Sequence, residues 1–134
     1  MAIVVFVGVM SAHAEWGIDW KAAEWALGQI ESGEDDGAVG RDGERSRYQI
    51  LPLVWERHEP NGGFADRAIA WRVARRILED RAARFHMQFH RWPDVAETYW
   101  LWNAPGQVFE RAVSRRVQGR GRRFANLYGL RART

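Results

Sequence analysis

Hydrophobic residues recur along this chain mostly at three- and four-residue intervals, the repeat of a helix that buries one face. Ala23, Ala26, Leu27 and Ile30 follow Asp19, a residue suited to cap the helix they define, and Gly33 supplies a stop. Asp66 can cap a longer helix. In it Ile69, Val73, Ile77, Phe85 and Phe89 form one stripe, widened by Ala70, Ala74, Leu78 and Ala82. Asp80 and Arg84 are spaced for a favourable pair along it. Trp92-Pro93-Asp94 ends that helix and opens another, with Val95, Tyr99 and Trp102 on one face and Pro105-Gly106 as its stop. Val108 to Gln118 and Arg122 to Tyr128 read as two last helical pieces, split by Gly119-Arg120-Gly121.

The intervening segments are turn-rich. Gly33, Gly37, Gly40 and Gly43 stand among charged residues over 33–46, which makes that stretch a loop. Tyr48 to Trp55, with Pro52, predicts a turn into a short helix, and Glu59-Pro60-Asn61-Gly62-Gly63 a second loop. No stretch alternates with period two long enough to predict a strand. The pattern therefore predicts an all-α domain of five or six helices, with nothing more sheet-like than a short hairpin in 33–46.

The 134 residues suffice for one domain with its own core. The absence of cysteine excludes a disulfide framework and a thiolate metal site. Ile3 to Val9 is a short apolar run followed by the small-x-small triplet Ala12-His13-Ala14. Residues 1–14 thus read as a signal peptide, although no Lys or Arg precedes the run, and a polar, amphipathic pattern starts at Glu15. The expectation is an exported protein, periplasmic or secreted, with no stable membrane insertion, because the run is too short to span a bilayer. His86 and His90 stand one helical turn apart but lack a third ligand, so no metal site is assigned.

Positive charge is carried almost wholly by arginine; Lys21 is the only lysine, and no acidic residue follows Glu110. A solvated helix face is the plain reading of that basic end. Within it Arg120, Arg122 and Arg123 are expected to aid adhesion to anionic wall or membrane rather than to form an active site. A net charge of only +3 argues against a dedicated nucleic-acid binder.

Candidate chemistry centres on Gln29-Ile30-Glu31-Ser32-Gly33. Glu31 falls in the last turn of its helix, where unsatisfied carbonyls disfavour a negative charge, and Glu34, Asp35 and Asp36 add like charge. Both effects favour a carboxyl that stays protonated towards neutral pH, as glycosidic cleavage requires. An ordinary surface glutamate is the alternative. Eight tryptophans exceed what the core needs. Sugar faces stack on aromatics, and Trp102 and Tyr48 are the candidates for lining a groove.

This block resembles the soluble lytic transglycosylase and goose-type lysozyme superfamily. That family ends a helix on a Glu-Ser pair, here Glu31-Ser32. A second motif ends in Gln and an aliphatic residue with Pro soon after, matched by Tyr48-Gln49-Ile50-Leu51-Pro52, with Gln49 18 positions after Glu31. A third, Tyr-Asn-Ala-Gly, is matched by Trp102-Asn103-Ala104-Pro105-Gly106. There are departures. Ser46 stands where the second motif has Gly, Arg47 and Tyr48 replace its apolar pair, and Trp102 replaces the Tyr of the third.

The resemblance implies a lysozyme-like helical domain over residues 15–134, monomeric, that cleaves the glycan strands of peptidoglycan without a cofactor. It implies Glu31 as catalytic acid, with Ser32, Tyr48, Gln49, Ile50, Trp102, Asn103 and Ala104 as substrate-binding positions. It also implies a late tyrosine bonded to the glutamate, for which Tyr99 and Tyr128 are candidates. A lytic transglycosylase needs one carboxylate. A hydrolase would need a second, drawn from Asp35, Asp36 and Asp42, whose plainer reading is loop solubility. A glycan-binding protein without turnover is a further alternative.

Overall fold

A computed structural model describes residues 16–132; the expected leader, 1–14, lies outside them. The domain is all-helical. Among the described residues six helices run in order: α1 Trp20–Ser32, α2 Pro52–Glu56, α3 Arg67–Phe89, α4 Val95–Asn103, α5 Pro105–Phe109 and α6 Arg115–Ala132. Among the described residues no strand forms. Two isolated bridges, Val39 with Arg45 and Arg45 with Ile50, are all that appears of the expected hairpin.

The three aspartates at helix starts do what their chemistry allows. The side chain of Asp19 accepts from the Ala22 N–H, that of Asp66 from the Ile69 N–H and that of Asp94 from the Glu97 N–H. Asp94 and Glu97 form a reciprocal capping box, because Glu97 returns a bond to the Asp94 N–H. At the end of α1, Gly33 takes φ +65°, and the Gly33 and Glu34 N–H groups turn back onto the Gln29 and Gly28 carbonyls. That left-handed residue redirects the chain two positions after Glu31.

The main core cluster is built from α1, the 46–55 segment, α3, α4 and α6, with Leu27, Tyr48, Trp55, Ile77, Leu78, Tyr99 and Phe124 buried in it. Phe85, Leu101 and Val108 form a smaller cluster. Helix α6 lies against both α1 and α4 and thereby joins the chain's last helix to its first.

Helix α4 stops at Asn103, ahead of Pro105-Gly106 as expected, and Pro105 also opens the short α5 directly after Ala104, as a proline in a first turn can. Three expectations are corrected. The expected helix over 108–118 is instead the end of α5, a non-helical 110–114 and the start of α6. Gly119-Arg120-Gly121 does not split α6, which is continuous through it. The reason is tertiary: a Cβ on Gly121 would collide with the Trp100 indole and lie 2.9 Å from the Ala96 carbonyl oxygen, so glycine permits the approach of α6 to α4. In α3, Asp80 pairs with Arg76 at 3.3 Å rather than with Arg84, whose guanidinium lies 3.9 Å from the centre of the Phe109 ring.

Candidate active site

Glu31 projects from the last turn of α1 into a cleft of about 570 Å³. Gln49, Ile50, Trp102 and Asn103 line the same cleft, as do Asp42 and Glu44 from the loop. Four arginines, Arg41, Arg81, Arg116 and Arg120, complete its charged walls.

The loop is folded onto the end of α1 by a small polar network. The Ser32 hydroxyl donates to the Arg47 carbonyl at 2.7 Å and accepts from the Asp35 N–H at 3.0 Å. Arg47, nearly buried, donates to Asp36 at 2.8 Å through Nε and to the Glu34 carbonyl at 3.1 Å. Arg45 and Ile50 exchange backbone bonds of 2.8 Å in both directions. Between them Ser46 and Gln49 take φ of +73° and +55°, making a tight turn that closes with the Gln49 amide donating to the Ser46 carbonyl. This turn sets Gln49 and Ile50 at the cleft and sends Tyr48 the other way.

From α4 the ring of Tyr99 reaches beneath Glu31. Its hydroxyl donates to Glu31 Oε1 at 2.6 Å and accepts from Arg120 Nε at 3.0 Å and Nη2 at 2.8 Å. Arg120 Nη2 stands 3.7 Å from Glu31 Oε1. The side chain of Glu31 is only 12% exposed. Burial is the main force on its carboxyl and raises its pKa above the ordinary value; the Tyr99 bond and the Arg120 charge oppose it, and Glu44 adds to it. The expected contributors Glu34, Asp35 and Asp36 do not act here. Glu34 and Asp36 are turned to Arg47, and Asp35 accepts from the Gly37 N–H.

Arg81 on α3 donates to the Leu101 and Trp102 carbonyls, both at 2.9 Å, and so closes the C-terminal end of α4. Burial pulls its pKa down to about 10, which leaves it charged at neutral pH. It holds the backbone from which Trp102 and Asn103 face the cleft.

Of the positions expected from sequence, the fold brings Glu31, Asp42, Gln49, Ile50, Trp102 and Asn103 together, with Tyr99 against Glu31. Others lie elsewhere. Tyr48 is fully buried against Trp71, with its hydroxyl on Glu24, so it lines no groove. Ser32 anchors the loop. Ala104 joins α4 to α5 through its N–H on the Trp100 carbonyl. Tyr128 accepts from the Asp19 N–H rather than touching Glu31. Asp35 and Asp36 do not line the cleft.

The arginine-rich end is the main correction. It was expected to serve adhesion apart from the site, yet Arg116 and Arg120, one turn apart on α6, form part of the cleft wall. Glu44 and Arg81 were also not singled out. Glu44 had a legible signal, an acidic residue beside Gly43 in the loop that holds Asp42. Arg120 had none beyond its spacing from Arg116.

His86 stacks on Trp92 with ring centres 4.2 Å apart and contributes to packing. No group of metal-ligating side chains occurs among the described residues. Among the same residues no helix is long and apolar enough to cross a membrane. Comparison with protein families, with curated proteins and with solved structures finds no match to this chain.

Proposed function

We propose that this chain is a lytic transglycosylase with a lysozyme-like fold that is exported and cleaves the bond between N-acetylmuramic acid and N-acetylglucosamine in peptidoglycan. The observation that carries the reading is Glu31 itself: a nearly buried carboxyl, raised in pKa, that opens on a cleft lined by Gln49, Trp102 and Asn103. These are residues of the three motifs that resemble the family. Two further features support it. Tyr99 makes the bond that the family's late tyrosine makes to its glutamate. Ser46, where the family carries glycine, holds φ +73°, a conformation that glycine adopts without strain.

In this reaction Glu31 protonates the bridging oxygen, and the bond from it to the muramyl anomeric carbon breaks. The Glu31 carboxylate then removes the proton from the muramyl 6-hydroxyl, whose oxygen closes onto the anomeric carbon. The product is a 1,6-anhydro sugar and Glu31 is reprotonated. Trp102 offers its ring face to a sugar, and Asn103 and Gln49 offer amides to the N-acetyl groups and hydroxyls.

A second reading, an inverting muramidase, is favoured by one observation: Asp42 and Glu44 share the cleft with Glu31. An inverting hydrolase uses two carboxyl groups about 6.5–9.5 Å apart with water between them. Mass spectrometry of muropeptides released from purified sacculi separates the cases. Anhydro ends support the transglycosylase, reducing ends the muramidase, and no release a glycan-binding protein.

A further inference from the structure

The hydroxyl of Tyr99 holds three bonds: it gives one to Glu31 Oε1 and receives two from Arg120. A guanidinium has donors and no acceptor, so the phenol hydrogen cannot point at Arg120. Burial first, and then the Glu31 charge, push the Tyr99 pKa well above its ordinary value, so Tyr99 remains a donor throughout the neutral range. Both the Tyr99 bond and the Arg120 approach fall on Oε1. With one lone pair of Oε1 taken by the Tyr99 hydrogen and a guanidinium charge close by, Oε1 is the less basic oxygen, and the proton belongs on Oε2.

We infer that Arg120 is a positioning residue which, acting through Tyr99, fixes the acid proton of Glu31 on Oε2. Oε1 is committed to the protein, and Oε2 is the oxygen that serves the substrate. The same guanidinium, near Oε1, offsets the negative charge left on Glu31 after proton transfer. Arg120 places two donors of its planar guanidinium on the Tyr99 oxygen, and so sets direction as well as charge. The other charged groups around the cleft are Asp42, Glu44 and Arg41 from the loop, Arg81 from α3 and Arg116 from α6.

The catalytic side of this inference rests on Glu31 being the acid; the hydrogen-bond side does not. Arg120→Lys keeps a positive charge but loses the fork, while Arg120→Met loses both. With soluble glycan as substrate, Arg120→Lys should lower kcat on the order of a hundredfold, the scale of a misplaced reacting group, with KM little changed. The pair Tyr99→Phe with Arg120→Lys should lose little more than Tyr99→Phe alone, since residues acting in one chain of contacts are not additive. A normal kcat in Arg120→Lys, a loss confined to KM, or multiplying losses in the double variant would overturn the role.

NMR supplies a readout that needs no turnover. The Tyr99 hydroxyl proton should give a slowly exchanging signal that shifts as the ¹³C-labelled Glu31 carboxyl titrates. Arg120→Met should broaden or abolish it and move the Glu31 midpoint upward, through loss of the nearby positive charge. If the wild type cleaves nothing, the functional reading falls and these signals still decide the positioning claim. A Tyr99 signal and a Glu31 midpoint unchanged in folded Arg120→Met would contradict it.

Discussion

Gly121 offers a test of how the last helix is seated, because the structure separates two opposing effects. Alanine in a helix interior is favoured over glycine by roughly 1 kcal/mol. At Gly121 the added Cβ would run into the Trp100 indole and lie 2.9 Å from the Ala96 carbonyl oxygen. The indole could swing aside, but the carbonyl is α4 backbone, so α6 and α4 must separate. Overpacking of this kind costs about 1–3 kcal/mol. Gly119 is the internal control, since a Cβ there meets only the Arg122 side chain at 3.7 Å, an ordinary contact. Gly119→Ala should therefore stabilise the fold by about 0.5–1 kcal/mol. Gly121→Ala should lose that gain and more, for a net destabilisation of up to about 2 kcal/mol. The propensity effect is shared, so the difference between the two variants isolates the steric cost. Urea denaturation followed by circular dichroism measures it, provided the slopes agree. Gly121→Ala should also slow catalysis more than Gly119→Ala, because shifting α6 moves Arg120 away from Tyr99. Equal stability in the two variants, or a more stable Gly121→Ala, would refute the close packing of α6 on α4.

Two more outcomes follow from the site. Burial raises the folded Glu31 carboxyl above its ordinary value of 4.5, so the folded state binds that proton more tightly than the unfolded chain does; this contribution to stability is complete below 4.5 and is lost as pH rises through the folded midpoint. Glu31→Gln removes the dependence and should be at least as stable as wild type at neutral pH, with its advantage vanishing in acid; thermal melts across that range that show the reverse trend would contradict the raised pKa. Arg47→Ala removes charged hydrogen bonds to Asp36 and the Glu34 carbonyl, worth roughly 1.5–3 kcal/mol together with lost packing; limited proteolysis should then cut within 33–46 first, and an unchanged cleavage pattern would mean that Arg47 does not anchor the loop.

What the sequence revealed and what it hid divide along the range of the interactions. Asp19, Asp66 and Asp94 cap by bonds three residues away, so the starts of α1, α3 and α4 were legible. The stripe from Ile69 to Phe89 was legible for the same reason, being periodic within one helix. Gly119-Arg120-Gly121 read as a break because two glycines lower local helix propensity, whereas the need for Gly121 comes from Trp100 on another helix. Tyr48 was placed in a groove because it lies in a motif. The left-handed residues on either side, Ser46 and Gln49, turn it inward, and side chains alone do not announce that reversal. Glu31, Gln49 and Asn103 were found because their local sequence is distinctive. Arg120 reaches Glu31 only through the packing of α6 on α1 and α4, so nothing near it in sequence marks its role.

In the proposed reaction Glu31 alone supplies the proton chemistry. Purified sacculi should be digested with wild type, Glu31→Gln, Asp42→Asn and Glu44→Gln, each confirmed folded by circular dichroism, and the soluble muropeptides weighed by mass spectrometry. General acid catalysis is worth about 10²–10⁴-fold, and Glu31 would act as both acid and base, so Glu31→Gln should fall at or beyond the upper end of that range. Wild type should release anhydro-muramyl ends, and Asp42→Asn and Glu44→Gln should retain most of that release. Substantial release by folded Glu31→Gln would contradict the account at its centre.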